Sequence, residues 1–214
     1  MSKQKKPTTK KQAPPVTTQE TALILRTCSA DMTSYGGFQW PTSGPVECAV
    51  WNPKHVCGNG LHGLLWGEGS ISYLDLSESA KWIVFRAALS DIATGSGDLI
   101  DKCKARAGVV EYCGDRPGAI AYLLANGACG KAVVFGTATA GYSGTATAGN
   151  YGTATAGDSG TATAGDSGII CIRWYDSVAI RYRLAIAYVG ENGIKANTKY
   201  RLNDHHQFEE SKNE

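Results

Sequence analysis

The chain lacks most of the features that usually announce a function. No apolar run reaches the length of a membrane span; the longest, around Val178–Val189, is broken by Arg181 and Arg183. The leader has no apolar centre of the kind a secretory signal needs. Walker, dinucleotide-glycine and nucleophile-elbow patterns are missing, which removes the common marks of nucleotide hydrolases, nicotinamide enzymes and serine hydrolases. Net charge is only +2, so the overall balance does not select nucleic acid. The seven cysteines are scattered, odd in number and never spaced as CxxC, which argues against a disulfide framework. These absences lead to the expectation of a soluble cytoplasmic protein.

Charge is uneven along the chain. Residues 1–20 carry Lys3, Lys5, Lys6, Lys10 and Lys11, three prolines and almost nothing apolar. Such a segment cannot bury enough surface to offset its ordering entropy, so it reads as a disordered basic tail, at most a weak contact for nucleic acid.

The most specific feature is a repeat. From Gly136 the chain reads GTATAGYS, GTATAGNY, GTATAGDS, GTATAGDS, four octads in succession. Short fixed periods mark a β-solenoid. Thr-Ala-Thr-Ala is a minimal strand with two unlike faces, and the remainder is a turn whose glycines are expected to adopt conformations that other residues avoid. Two octads make one sixteen-residue coil with strands back to back. The small residue must face inward in so thin a coil, so Ala138, Ala140, Ala146, Ala148, Ala154, Ala156, Ala162 and Ala164 are assigned to the interior. Thr137, Thr139, Thr145, Thr147, Thr153, Thr155, Thr161 and Thr163 then form ladders outside. The register continues with Ile170, Ile172, Val178 and Ile180 in the alanine positions, which reads as a cap closing the end of the stack.

The flanks are not repetitive. The expected fold class is an α+β domain over residues 21–130, followed by the β-solenoid over 131–168, an antiparallel β cap over 169–203 and a frayed polar tail over 204–214. Strands are expected at Leu23–Cys28, Trp82–Ala88 and Val109–Cys113, and a helix at Pro117–Asn126 capped by Asp115. The cap has turns at Tyr175–Ser177 and Glu191–Gly193.

The order GGFQW, then CGNGLH, then a hydrophobic strand, tandem octads and a closing GENGIKANTKYRL resembles a family of bacteriophage and prophage proteins of unknown function. In that family a Cys-x-x-Gly-(Phe/Leu)-His domain precedes Gly-Ala-Ala-Thr-Ala-Gly repeats and a Lys-x-(Asp/Asn)-Thr-x-Tyr strand, matched here by Lys195–Tyr200. The likeness spans Ala22 to Leu202 and implies a viral or prophage origin and a setting in the cytoplasm of a bacterial host cell; it supplies no activity. The octads are also similar to those of bacterial ice-nucleation proteins, which carry a Thr-x-Thr pair on each sixteen-residue coil.

For a site, the glycine- and tryptophan-rich stretch offers Phe38, Trp40, Trp51, Asn59, His62 and Trp66. Glycine lets backbone approach a ligand, and indoles give flat surface. This leads to the first reading, a non-catalytic binding module whose partner is a host protein, such as a defence component, or a small nucleotide-like ligand, with no cofactor. The second follows a resemblance to ADP-ribosyltransferase-like folds, in which Arg26, His62 and Glu111 would hold and orient NAD. The third is structural, with the threonine ladders binding another copy or a periodic surface such as ice. Cys48, Cys57 and His62, with Cys28 or Cys113, are zinc-type ligands, but their spacing fits no compact site, so no metal is expected.

Overall fold

The computed structural model describes residues 19–211. The expected basic tail, apart from its last two residues, lies outside them. The described chain is mostly β with few helices, arranged in several sheets without a closed barrel.

The strands are β1 (Thr21–Cys28), β2 (Thr33–Ser34), β3 (Phe38–Gln39), β4 (Gly44–Glu47), β5 (Leu61–Leu65), β6 (Lys81–Ala88), β7 (Ile92–Thr94), β8 (Cys103–Ala105) and β9 (Ala107–Gly114). Seven of them form one antiparallel sheet in the order β4-β9-β6-β1-β5-β8-β7. β1 and β6 are near-continuous apolar runs because the sheet is covered on both sides. On one side Leu23, Leu25, Trp82 and Val84 meet α1 (Arg116–Leu123) through Ala119, Ile120 and Leu123. On the other, Ile24, Ile83 and Phe85 meet Trp40, Val46 and Leu61, carried by loops and short strands. Each large apolar side chain buried here contributes about 1.5–3 kcal/mol. α1 begins where expected: Asp115 accepts from the Gly118 N–H at 2.9 Å, and Pro117 occupies the first turn.

The octads supply β10 (Thr137–Thr139), β11 (Thr145–Thr147), β12 (Thr153–Ala156) and β13 (Thr161–Thr163). Alternate octads pair in parallel, sixteen residues apart: Thr137 with Thr153 in one sheet, Thr145 with Thr161 in the other. The alanines turn inward. Ala146, Ala148, Ala154, Ala156, Ala162 and Ala164 are buried, while Ala138 and Ala140 are half-buried because β10 is an edge strand.

The turns differ from expectation. The left-handed residue in each is the eighth of the octad, Ser143, Tyr151, Ser159 and Ser167, with φ of 53°, 57°, 59° and 54°. The glycines serve close approach instead. A Cβ on Gly157 would stand 2.7 Å from the Tyr142 nitrogen, and one on Gly165 would meet Gly149 and Asn150. Layers can settle to strand spacing only if these positions carry no side chain.

Beyond Gly168 the repeat gives way to β14 (Ile169–Asp176), β15 (Arg181–Tyr188), β16 (Tyr200–Leu202) and β17 (Phe208–Glu210). Ile170 and Ile172 do take the places beside Ala154 and Ala156. Val178 and Ile180 do not: they are 93% and 77% exposed. The reason is that β14 runs on to Asp176 rather than turning after one octad. Asp176 Oδ1 accepts from the N–H groups of Val178 and Ala179, both at 3.0 Å, and makes the turn at 177–180, with Ile180 left-handed five residues past the place the octad register sets. The C-terminal residues are also more ordered than a frayed tail. β17 pairs with β16, held by Arg201 Nε to Glu209 at 2.7 Å. A three-residue strand this polar shows no periodicity in sequence.

Candidate functional site

β1 alternation sends Arg26 to the loop-covered side of the sheet, beside Ile24 and Cys28. Its guanidinium lies 4.0 Å above the Trp40 ring, a cation–π contact. Nε and Nη2 donate to the Thr27 carbonyl at 3.2 and 3.1 Å, and Nη1 to the His62 carbonyl at 3.4 Å. Burial pushes the Arg26 pKa down to about 10, so it stays charged at neutral pH. No carboxylate forms an ion pair with it among the described residues. A guanidinium has five N–H groups, and two of these five have no protein partner.

His62, on β5, stands in register with Lys104 of β8, and its carbonyl is the one that Arg26 reaches. Gly58 and Asn59 take left-handed conformations, φ 88° and 48°, which fold the loop tip back so that the Gly58 N–H donates to His62 Nε2 at 3.2 Å. His62 Nδ1 is buried and has no partner. Burial, then the positive charges of Lys102 and Lys104, push the ring's pKa down to about 4, so it is neutral at physiological pH. Lys104 is fully buried. Its Nζ donates to the carbonyls of Val56 at 2.7 Å and Gly58 at 3.0 Å and pins the loop from beneath. Gly60 passes close above it: a Cβ there would come within 3.0 Å of the Lys104 side chain and 3.1 Å of Trp51, and one of them would have to give. Lys104 was not legible in the sequence, because Cys-Lys-Ala reads as an ordinary alternating strand.

Phe38, Trp40, Asn59 and His62, with Arg26, line a cavity of about 480 Å³. Trp51 stands behind it, 5.8 Å from the Lys104 ammonium. Trp66 is not part of it; it packs in the helix-side core with Leu123 and Val133. Glu111 is separated from Arg26 by the sheet. An irregularity opposite Val84 and Phe85 puts it on the helix side. There it accepts from Arg86 Nε at 2.8 Å, Arg86 Nη2 at 3.0 Å and Tyr122 Oη at 3.0 Å. The three residues needed for an ADP-ribosyltransferase-like arrangement around NAD are therefore not brought together.

The threonines are assembled differently, in ranks. Thr137 and Thr139 stand beside Thr153 and Thr155 on one face, Thr145 and Thr147 beside Thr161 and Thr163 on the other. All eight are exposed or half-exposed, and the Thr145 and Thr161 hydroxyls are 3.0 Å apart. On the first face the next rank is Ile169 and Cys171, which ends the ladder.

Similarity to known proteins follows this division. Over 107 residues, half of this chain, it is 38% identical to an ice nucleation protein of Xanthomonas campestris pv. translucens, of which it covers 7%. It is 44% identical over 73 residues to an ice nucleation protein of Pseudomonas fluorescens, covering 34% of this chain and 6% of that one. Against ice nucleation protein InaU of Pantoea ananas it is 50% identical over 66 residues, 31% of this chain and 6% of the relative. The chain thus spans less than a tenth of these relatives. No solved structure matches. The matches correct the expected cytoplasmic location: relatives of the chain are ice nucleation proteins, and a place inside the cell is at odds with them. Residues 22–119, which hold the seven-stranded sheet, the cavity and the start of α1, match the family model of DUF7666, a domain of unknown function.

Proposed function

We propose that this is a repeat protein whose octads form a short β-solenoid and whose threonine faces engage the ordered water of an ice surface. The observation that carries the reading is the ranking of threonines on parallel strands, in a chain similar to ice nucleation proteins. Ranks sit about 4.8 Å apart, and threonines in one strand about 6.7 Å apart, because both distances are set by backbone hydrogen bonding and strand rise. Hydroxyls held on such a grid fix first-layer waters in a periodic pattern. Immobilising a water costs up to about 2 kcal/mol, and a rigid scaffold keeps that the main entropic cost of contact.

Size sets the limit. Each face has two ranks of two threonines, too small to template a nucleus that must be large at mild supercooling. The expected activity is adsorption to existing ice, with nucleation confined to deep supercooling. Slow freezing of a dilute solution tests it. The protein should enrich in the ice fraction relative to an unrelated protein of equal size. The paired substitutions Thr145→Lys with Thr161→Lys, and Thr137→Lys with Thr153→Lys, should lower that enrichment while the far-ultraviolet spectrum stays native. Equal partitioning of wild type and the unrelated control would defeat the reading. A viral origin and a host-defence target gain no support from the proteins this chain resembles.

A further inference from the structure

The cavity beside β1 and β5 takes no part in the threonine-face reading, yet it holds a charge with no counter-ion among the described residues. Burying an ionised group without a counter-ion is costly, and such groups are ordinarily paired. Arg26 lies half-buried against Trp40 with no carboxylate opposite it among the described residues and two N–H groups unused. No aspartate or glutamate lines the cavity. Lys104 lies beneath the loop tip with both of its bonds going to backbone carbonyls, and adds to the positive field.

The rim of the cavity is apolar: Tyr35 is fully exposed and Val50 is 61% exposed, so both stand clear of the other described residues. A volume of about 480 Å³ lies in the ordinary range for small-molecule sites.

We infer that this cavity binds a small organic oxyanion, its carboxylate or phosphate head on Arg26 and its flat apolar body between Tyr35 and Val50. The planar guanidinium suits either head, since both present paired oxygens to a fork of N–H donors. The site stands apart from the repeat, so it can exist whether or not the threonine faces meet ice.

Calorimetric titration of the full chain with benzoate, adenosine monophosphate, inorganic phosphate and benzylamine tests the inference. Saturable one-to-one binding of benzoate or adenosine monophosphate is expected, with Kd below about 1 mM. The tighter of the two identifies the preferred head, and inorganic phosphate should bind more weakly than either for want of an apolar body. Val50→Glu places a carboxylate on the rim without touching the core, and should raise Kd about tenfold with an unchanged melting temperature. Arg26→Gln should abolish binding; should that variant fail to fold, Val50→Glu carries the test. The inference is overturned if neither anion binds below about 5 mM, if benzylamine binds as well as benzoate, or if Val50→Glu binds as wild type does.

Discussion

The Gly58 N–H donates to His62 Nε2 at 3.2 Å, and this one bond decides the tautomer of the ring. It also decides a pH response. The folded ring, with its pKa pushed down to about 4 from 6.5, refuses a proton that the unfolded chain accepts. Stability is therefore flat above pH 6.5 and falls as pH drops through the window down to about 4. The full shift would correspond to about 3 kcal/mol, and solvent screening of a half-buried ring reduces it to on the order of 1–2 kcal/mol. Urea melts across this range measure it. His62→Gln should flatten the profile; an unchanged slope in that variant would show that another group is responsible.

The repeat turns make a prediction that reverses the usual roles of glycine and serine. Ser159 is left-handed at φ 59°, while Gly157 is packed against Gly141 and Tyr142 of the preceding layer. Ser159→Gly relieves backbone strain and should stabilise by about 0.5–1 kcal/mol. Gly157→Ala forces layers apart and should cost on the order of 1–3 kcal/mol. Thermal melts of the two variants should move in opposite directions; a loss in both would mean that the turn is not strained at Ser159.

Glu111 is expected to matter for stability rather than chemistry. It bridges Arg86 and Tyr122, joining β6 to α1 through a pair that is 31% and 23% exposed at its side chains. Glu111→Gln should cost about 1–2 kcal/mol in denaturant melts. A double-mutant cycle with Tyr122→Phe should show coupling, because both lose the same carboxylate bond. Strict additivity would mean that the tyrosine contact contributes nothing.

What the sequence made legible follows from where the physics is local. The octad period, the inward alanines and the Asp115 cap each depend on side-chain size or on a bond within a few residues, and each is found. The bonds that determine the cavity join residues far apart in the chain. Arg26 reaches His62 across 36 positions, and Lys104 reaches Val56 across 48, so neither partnership leaves a motif. Phe38, Trp40, Asn59 and His62 were legible through composition alone, and Trp66 has the same composition yet faces the other core. The side on which Glu111 falls turns on one irregular residue in β9, which alternation cannot foresee. Val178 and Ile180 were misplaced because an eight-residue rhythm was extended past the point where Asp176 ends it.

The two sheets of the repeat draw on alternate octads, and they end on different partners: β12 hands on to β14, whereas β13 meets β16 from the opposite direction. This makes the length of the array quantised. Adding or losing sixteen residues returns every later strand to its own sheet and leaves the closing hairpins where they were. Adding or losing eight exchanges the two sheets, so that Ile170 and Ile172 arrive where Tyr200 belongs. Lineages of this protein should therefore differ by even numbers of octads, with odd steps pruned by misfolding.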